Sequence, residues 1–151
     1  MVQTFDSVLK KILHYCSYQD RCISEVKTKI STFDISFSDR EKIMQLLIDE
    51  GFIDESRFAH AFVRSKMHLK KWGVNKIKMA LKMKGVSDEI INDALAEIAP
   101  EHYRGELVNI LKAKKINDLN ESSRRAKLAR YAIQKGYEPG LVWEVIRELE
   151  G

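Results

Sequence analysis

Shifted against itself by 51 positions, the chain meets its own pattern. Val26, Ile77 and Leu128 coincide, as do Ile35, Val86 and Tyr137, then Met44, Leu95 and Ile146, then Leu47, Ile98 and Leu149. In the same shift Lys84, Gly85 and Val86 land on Lys135, Gly136 and Tyr137. A lysine followed by a glycine is a common way for a helix to stop. The cation faces the last carbonyls, and the glycine can adopt the positive φ that closes them off. A period of roughly fifty residues belongs to helical arrays, in which each unit buries its open face against the next.

The residues between these marks agree. Apolar positions recur every three to four residues throughout, and no segment alternates with a period of two. Helices are predicted over residues 5–17, 24–31, 38–50, 54–69, 74–84, 87–98, 101–113, 121–135 and 138–150. With only two prolines and seven glycines, long helices are favoured over a turn-rich β fold. The expected fold is all-α: three tandem three-helix repeats, 1–52, 53–99 and 100–151, forming an elongated, curved array. At 151 residues such a chain buries enough surface to need neither disulfide nor metal.

Several function classes lose support on composition. Cys16 and Cys22 lack the paired ligands of a zinc site, so no metal is expected, and they read as thiols in a reducing compartment. No signal segment opens the chain and no apolar run would cross a bilayer, so a cytoplasmic protein with no membrane partner is expected. His14, His60, His68 and His102 sit at spacings that suit no acid–base pair, and there is no phosphate loop, GxSxG or HExxH motif. Neither catalysis nor a cofactor is expected.

The stretch EGFIDESRFAHAFVRSK, from Glu50 to Lys66, reads as a junction between repeats. Gly51 closes one helix and Asp54 caps the next, its carboxylate accepting unpaired amides. Ile53 and Phe58 stand at the spacing of a hydrophobic staple, and Phe58 and Phe62 lie one turn apart on one face. These are packing and capping roles.

Charge carries more functional information. Residues 56–87 contain nine lysines and arginines and no acid. Such a run stores self-repulsion that an acidic partner would relieve, although a solvated face is the plainer reading. Along the fifth helix Val74, Ile77, Ala80 and Leu81 form the inward stripe. Lys78 and Lys82 lie opposite, beside Met79 and Met83, a combination suited to an adaptable protein or nucleic-acid contact. Trp72, before Gly73, is either a partly buried plug or an exposed aromatic anchor. A second basic cluster gathers Lys112, Lys114, Lys115, Arg124, Arg125, Lys127 and Arg130.

GFIDESRFAHAFVRSK followed by WGVNKIKMALKMKGV resembles the central signature of the RecX regulatory proteins, bacterial modulators of the RecA recombinase. Leu13, Tyr15, Ser24, Glu25, Val26, Lys27, Lys29 and Ile30 resemble the family's first-unit pattern. Lys127, Leu128, Tyr131, Lys135, Gly136, Tyr137, Val142, Val145 and Ile146 resemble its last. The chain departs at Lys76 and Ala80, where the family commonly has a basic residue and a glutamate, and at Lys66, where arginine is more usual. The resemblance implies a non-enzymatic regulator in DNA repair, recombination and the SOS response, and nothing in the sequence demands more than a monomer. It would dock along RecA filaments on DNA and inhibit ATP hydrolysis, strand exchange or filament growth.

The expected contacts to filament or DNA are Arg64, Lys66, Lys70, Lys71, Lys76, Lys78, Lys82, Arg124, Arg125, Lys127 and Arg130. Gly51, Asp54, Phe58, Phe62, Gly73, Ile77, Leu81 and Gly85 are expected to be structural. The alternative is a helical nucleic-acid-binding module whose fifth helix contacts DNA phosphates directly.

Overall fold

A computed structural model describes residues 3–150. Among them are nine α-helices and no strand: α1 Phe5–Tyr18, α2 Ile23–Ile30, α3 Phe37–Asp49, α4 Glu55–His68, α5 Val74–Met83, α6 Asp88–Ala96, α7 Pro100–Ala113, α8 Glu121–Gln134 and α9 Pro139–Glu150. The boundaries follow from local chemistry. Thr4, Ser36, Asp54, Ser87 and Asn120 each stand just before a helix and accept one of its first amides through a side-chain oxygen. Pro100 and Pro139 each occupy a first helical position, where a missing N–H costs nothing.

Three helices end in the same way. Gly51, Gly85 and Gly136 all have positive φ. After α3, Gly51 N–H bonds Ile48 O and Phe52 N–H bonds Leu47 O. After α5 the pairs are Gly85 to Lys82 and Val86 to Leu81, and after α8 they are Gly136 to Ile133 and Tyr137 to Ala132. This is the doubly bonded Schellman closure. The residue after each of the last two glycines, Val86 or Tyr137, turns inward and is buried, as the register of the repeats requires.

The core is divided unequally. Val8, Ile12, Val26, Ile30, Ile35, Ile43, Met44, Leu47 and Ile53 form one cluster within the first three helices. The remaining six helices share a second cluster that includes Phe58, Val63, Ile77, Leu81, Ile91, Leu107, Tyr137 and Ile146. Ile53 and Phe58 therefore belong to different cores and do not close the staple that their spacing suggests. The chain passes from one core to the other between them. Phe58 instead tilts against Phe62, with ring centroids 5.7 Å apart.

What joins the units is an end-to-end arrangement of their middle helices. At the N-terminus of α5, Gly73 N–H donates to Lys135 O and Asn75 N–H to Gly136 O, both at 2.8 Å. Val74 N–H, between them, donates to the Tyr103 hydroxyl at 3.0 Å. The unpaired amides of α5 thus meet the last carbonyls of α8, partial positive against partial negative. The approach is so close that a Cβ on Gly73 would lie 2.3 Å from the Gly136 carbonyl carbon, and one on Gly136 would lie 2.5 Å from Lys76 Cβ.

The N-terminus of α2 meets the C-terminus of α5 in the equivalent way. Ser24 Oγ donates to Lys84 O at 2.7 Å, Lys84 Nζ pairs with Glu25 at 3.2 Å, and Ile23 N–H donates to Glu55 Oε1 at 2.9 Å. Cys22, in the place that Gly73 holds one repeat later, is fully buried against the second core.

Two tyrosines brace the α5–α8 joint. Tyr103 and Tyr137 stack at 5.2 Å; Tyr103 donates to Glu138, and Tyr137 donates to Lys71 O at 3.2 Å. Burial, then the carboxylates of Glu106 and Glu138, push the Tyr137 phenol up to about 12. Burial and the Glu138 hydrogen bond push Tyr103 up further. Both phenols are held neutral, so the stability they lend is complete below the ordinary value of 10.0 and drains away as pH rises through the folded values.

Two predictions follow from this joint. Gly73→Ala keeps an ordinary φ and tests the close approach alone; it should cost about 3 kcal/mol and lower the melting temperature by roughly 6–12 °C. Gly85→Ala, at positive φ but in open space, should cost only about 1–2 kcal/mol. A Gly73→Ala protein that melts like the unmodified one would refute the contact. In an alkaline absorbance titration, Tyr103 and Tyr137 should ionise last among the five tyrosines and together with unfolding. Their ionisation near pH 10 in a folded protein would contradict the assignment.

Candidate partner-binding face

The basic run of residues 56–87 folds into α4, a tight turn and α5, with α6 beginning just beyond it. The turn is held by unusual means. Lys71 has φ 57, a left-handed conformation costing about 1–2 kcal/mol in a residue with a Cβ. Its carbonyl accepts from Tyr137, its Nζ pairs with Glu106 at 2.9 Å, and the next amide, Trp72 N–H, reaches back to Lys66 O at 3.0 Å. Gly73 is then fixed on α8. Trp72 has no freedom to swing, and its half-buried indole is presented between helices.

Two lysines lie on that indole. Lys76 Nζ is 4.5 Å and Lys66 Nζ 4.9 Å from its centroid, with Lys66 also 5.4 Å from the Phe62 ring. Phe62 meets Trp72 edge-on at 6.5 Å. Trp72 is both a packing residue and part of the surface. On one side it borders a cleft of about 640 Å³ between the first unit and α4–α5, floored by Phe58, Phe62 and Ala80 and bounded by Lys66, Lys84 and Glu25. It also borders a groove of about 390 Å³ between α5 and α8, walled by Met79, Met83, Ile133 and Gln134. Met79 and Met83, one turn apart, are 61% and 83% exposed.

The structure separates the expected contact residues into two groups. Arg64 pairs with Glu97 at 3.9 Å, Lys71 with Glu106, and Lys82 with Asp88 at 3.5 Å. In α8, Arg125 pairs with both Glu121 and Glu150, Lys127 with Asp118 at 2.8 Å, and Arg124 donates to Asp118 O at 3.4 Å. Lysine and serine hydrogen bonds hold the Asp118 carboxyl well below the usual carboxylate range. Arg124, Arg125 and Lys127 of the second basic cluster are therefore engaged in an internal network that ties α8 to the loop before it and to the end of α9.

Lys66, Lys70, Lys76, Lys78 and Arg130 have no carboxylate partner among the described residues. The first four belong to α4, α5 and the turn between them. Lys78 is half-buried, not fully opposite the inward stripe as the helical spacing suggests. The structural set behaves differently: Phe58, Gly73, Ile77 and Leu81 are buried, Phe62 is half-buried, and Gly51, Asp54 and Gly85 lie exposed at helix ends. Sequence reasoning did not find the α8 wall of the groove, Ile133 and Gln134, because no local spacing places them beside residues some fifty positions earlier.

A third concavity, about 250 Å³, gathers His60, His68 and His102 between α4, α6 and α7. His60 faces Glu97 at 3.2 Å and His68 stacks beside His102 at 5.2 Å. Among the described residues no group of three or more His, Cys, Asp or Glu is arranged to hold a metal ion, and no helix is long and apolar enough to cross a membrane.

Comparisons with known proteins converge. Residues 54–95 match the family model described as RecX, second three-helix domain. The regulatory protein RecX of Halalkalibacterium halodurans is 30% identical over 139 residues, 91% of this chain and 52% of that protein. The regulatory protein RecX of Lactobacillus delbrueckii subsp. bulgaricus is 35% identical over 91 residues, 60% of this chain and 34% of that protein. The alignments thus span about a third to a half of these curated relatives. The crystal structure of RecX from Lactobacillus salivarius superposes with a TM-score of 0.85 at 26% identity, covering 97% of this chain and 96% of that one. With its second three-helix unit matched by the family's own model and its whole helical array superposing on a RecX crystal structure, the chain belongs to the RecX family of regulatory proteins.

Proposed function

We propose that the protein is a non-enzymatic regulator that binds RecA–DNA filaments through the α4–α5 face and inhibits RecA ATP hydrolysis, strand exchange or filament growth. The observation that carries this reading is the set of four lysines on α4, α5 and the turn between them, Lys66, Lys70, Lys76 and Lys78, that pair with no carboxylate among the described residues. Lys66 and Lys76 lie over the ring of Trp72, and Lys76 and Lys78 belong to a helix held at both ends. Cations left unpaired on a rigid surface favour an anionic partner and speed encounter with it. A row of joined units can touch more than one protomer of a filament. Binding that prefers one protomer arrangement slows any cycle that must leave it.

The second reading is direct contact with DNA phosphates, which the same four lysines would also suit. Salt dependence separates the two. Tight, steeply salt-dependent binding to bare DNA favours the nucleic-acid module, whereas weak binding to bare DNA with strong binding to filaments favours the regulator.

Reversing Lys70, Lys76 and Lys78 to Glu should weaken inhibition of RecA ATPase by about tenfold or more while leaving helicity and melting unchanged. Lys127→Ala, which opens the Asp118 network, should lower melting without a matching loss of inhibition. Inhibition untouched by the triple reversal would remove this face from the contact.

A further inference from the structure

The groove between α5 and α8 is not built for phosphate. Its walls are Met79, Met83, Ile133 and the indole of Trp72, and its one cation, Lys76, stands at the rim against that indole. A nucleic-acid backbone laid here would set charged oxygens against methionine side chains, with no cation beneath them. An apolar side chain would gain roughly 25 cal/mol for each Å² it buries. Two methionines one turn apart, exposed on a helix that cannot shift, form a surface that moulds to the side chain entering it. The rim adds a second requirement. Lys76 lies over the Trp72 ring at this rim, Lys66 lies over the same ring from the neighbouring cleft, and neither pairs with an acid among the described residues, so an occupant is favoured if it brings carboxylates.

We infer that the groove receives a short acidic segment of the protein partner, with one large apolar side chain seated between Met79, Met83 and Ile133, one flanking carboxylate on Lys76 at the rim and another reaching past Trp72 to Lys66 in the adjoining cleft. The inference rests on the reading that this face docks on RecA filaments, and it assigns the contact to protein and not to the DNA within them. The anchor lies against an apolar wall supplied by two repeats, so the site exists only when α5 and α8 are joined at Gly73 and Gly136.

The test compares binding to RecA filaments on single-stranded DNA, by co-sedimentation at low and high salt, for three proteins. These are the unmodified chain, Met79→Ser/Met83→Ser, and Lys66→Gln/Lys76→Gln. The methionine pair should weaken binding by roughly tenfold, by the same factor at both salt concentrations. The lysine pair should weaken it at low salt, with the gap closing at high salt as screening replaces the lost contacts. A benzophenone side chain introduced at Met83 should cross-link to RecA, in a stretch containing Asp or Glu beside a large apolar residue. Full binding by the methionine variant, or cross-linking to the DNA, would overturn the inference. If the unmodified chain itself fails to bind filaments at either salt, the regulatory reading falls, and the groove assignment with it.

Discussion

The backbone contact between Gly73 and Gly136 is the constraint on which the rest of the molecule depends. Two helix ends meet there with no side chain between them. The first amides of α5 find their acceptors on the last residues of α8 and on Tyr103. Each such bond adds only about 1 kcal/mol net, but leaving buried amides unpaired would cost more than that apiece. The joint therefore acts less as an adhesive than as a selector: only one relative placement of the two units satisfies the amides. Tyr103, Tyr137 and the Lys71–Glu106 pair then close around that placement. At the other junction the same logic uses different groups, with a serine hydroxyl in place of a backbone amide and Cys22 in place of Gly73.

Charge follows from this geometry. Residues 56–87 hold no acid, yet five of their nine cations pair with carboxylates brought from elsewhere in the fold: Asp20 to Arg57, Glu25 to Lys84, Glu97 to Arg64, Glu106 to Lys71 and Asp88 to Lys82. The exposed pairs among these add little stability individually. Their consequence lies in what they leave over. Among the described residues, the lysines of this run left without a carboxylate partner are Lys66, Lys70, Lys76 and Lys78, the first and third of them over Trp72, and the surface becomes selective where the sequence shows only a long basic run.

That contrast marks how far the sequence could be read. Helix positions, the glycine endings shared by α5 and α8 and the period of 51 residues were legible because they rest on local rules that recur along the chain. All nine helices fall within two residues of their predicted bounds. The Ile53–Phe58 staple was misread because spacing cannot reveal that the chain changes core between those two residues. The α8 arginines looked like a second contact surface because Glu150 reaches Arg125 only in the fold, although Glu121, one turn before Arg125, and Asp118, just ahead of the helix, stand close by in sequence. Trp72 could be narrowed to plug or anchor and no further. It is both, since the turn that buries one part of the indole also fixes the part that lysines cover.

The position of α5 explains why a binding face would be built on it and not on its equivalents. Its N-terminus is held by α8 and its C-terminus by α2. The outer end of α8 is satisfied within its own segment, where Asp118 accepts from Asn120 N–H and Ser123 Oγ and Asn120 accepts from Ser123 N–H. The last carbonyls of α2 are met by the hydroxyls of Ser31 and Thr32. Only α5 is fixed at both ends by neighbouring units. Side chains on such a helix lose little backbone freedom when a partner arrives, so more of the contact energy remains as affinity. Met79, Met83 and Lys76 combine adaptable side chains with a backbone that cannot follow them. That combination lets the surface adapt to whatever meets it while the frame beneath stays in place.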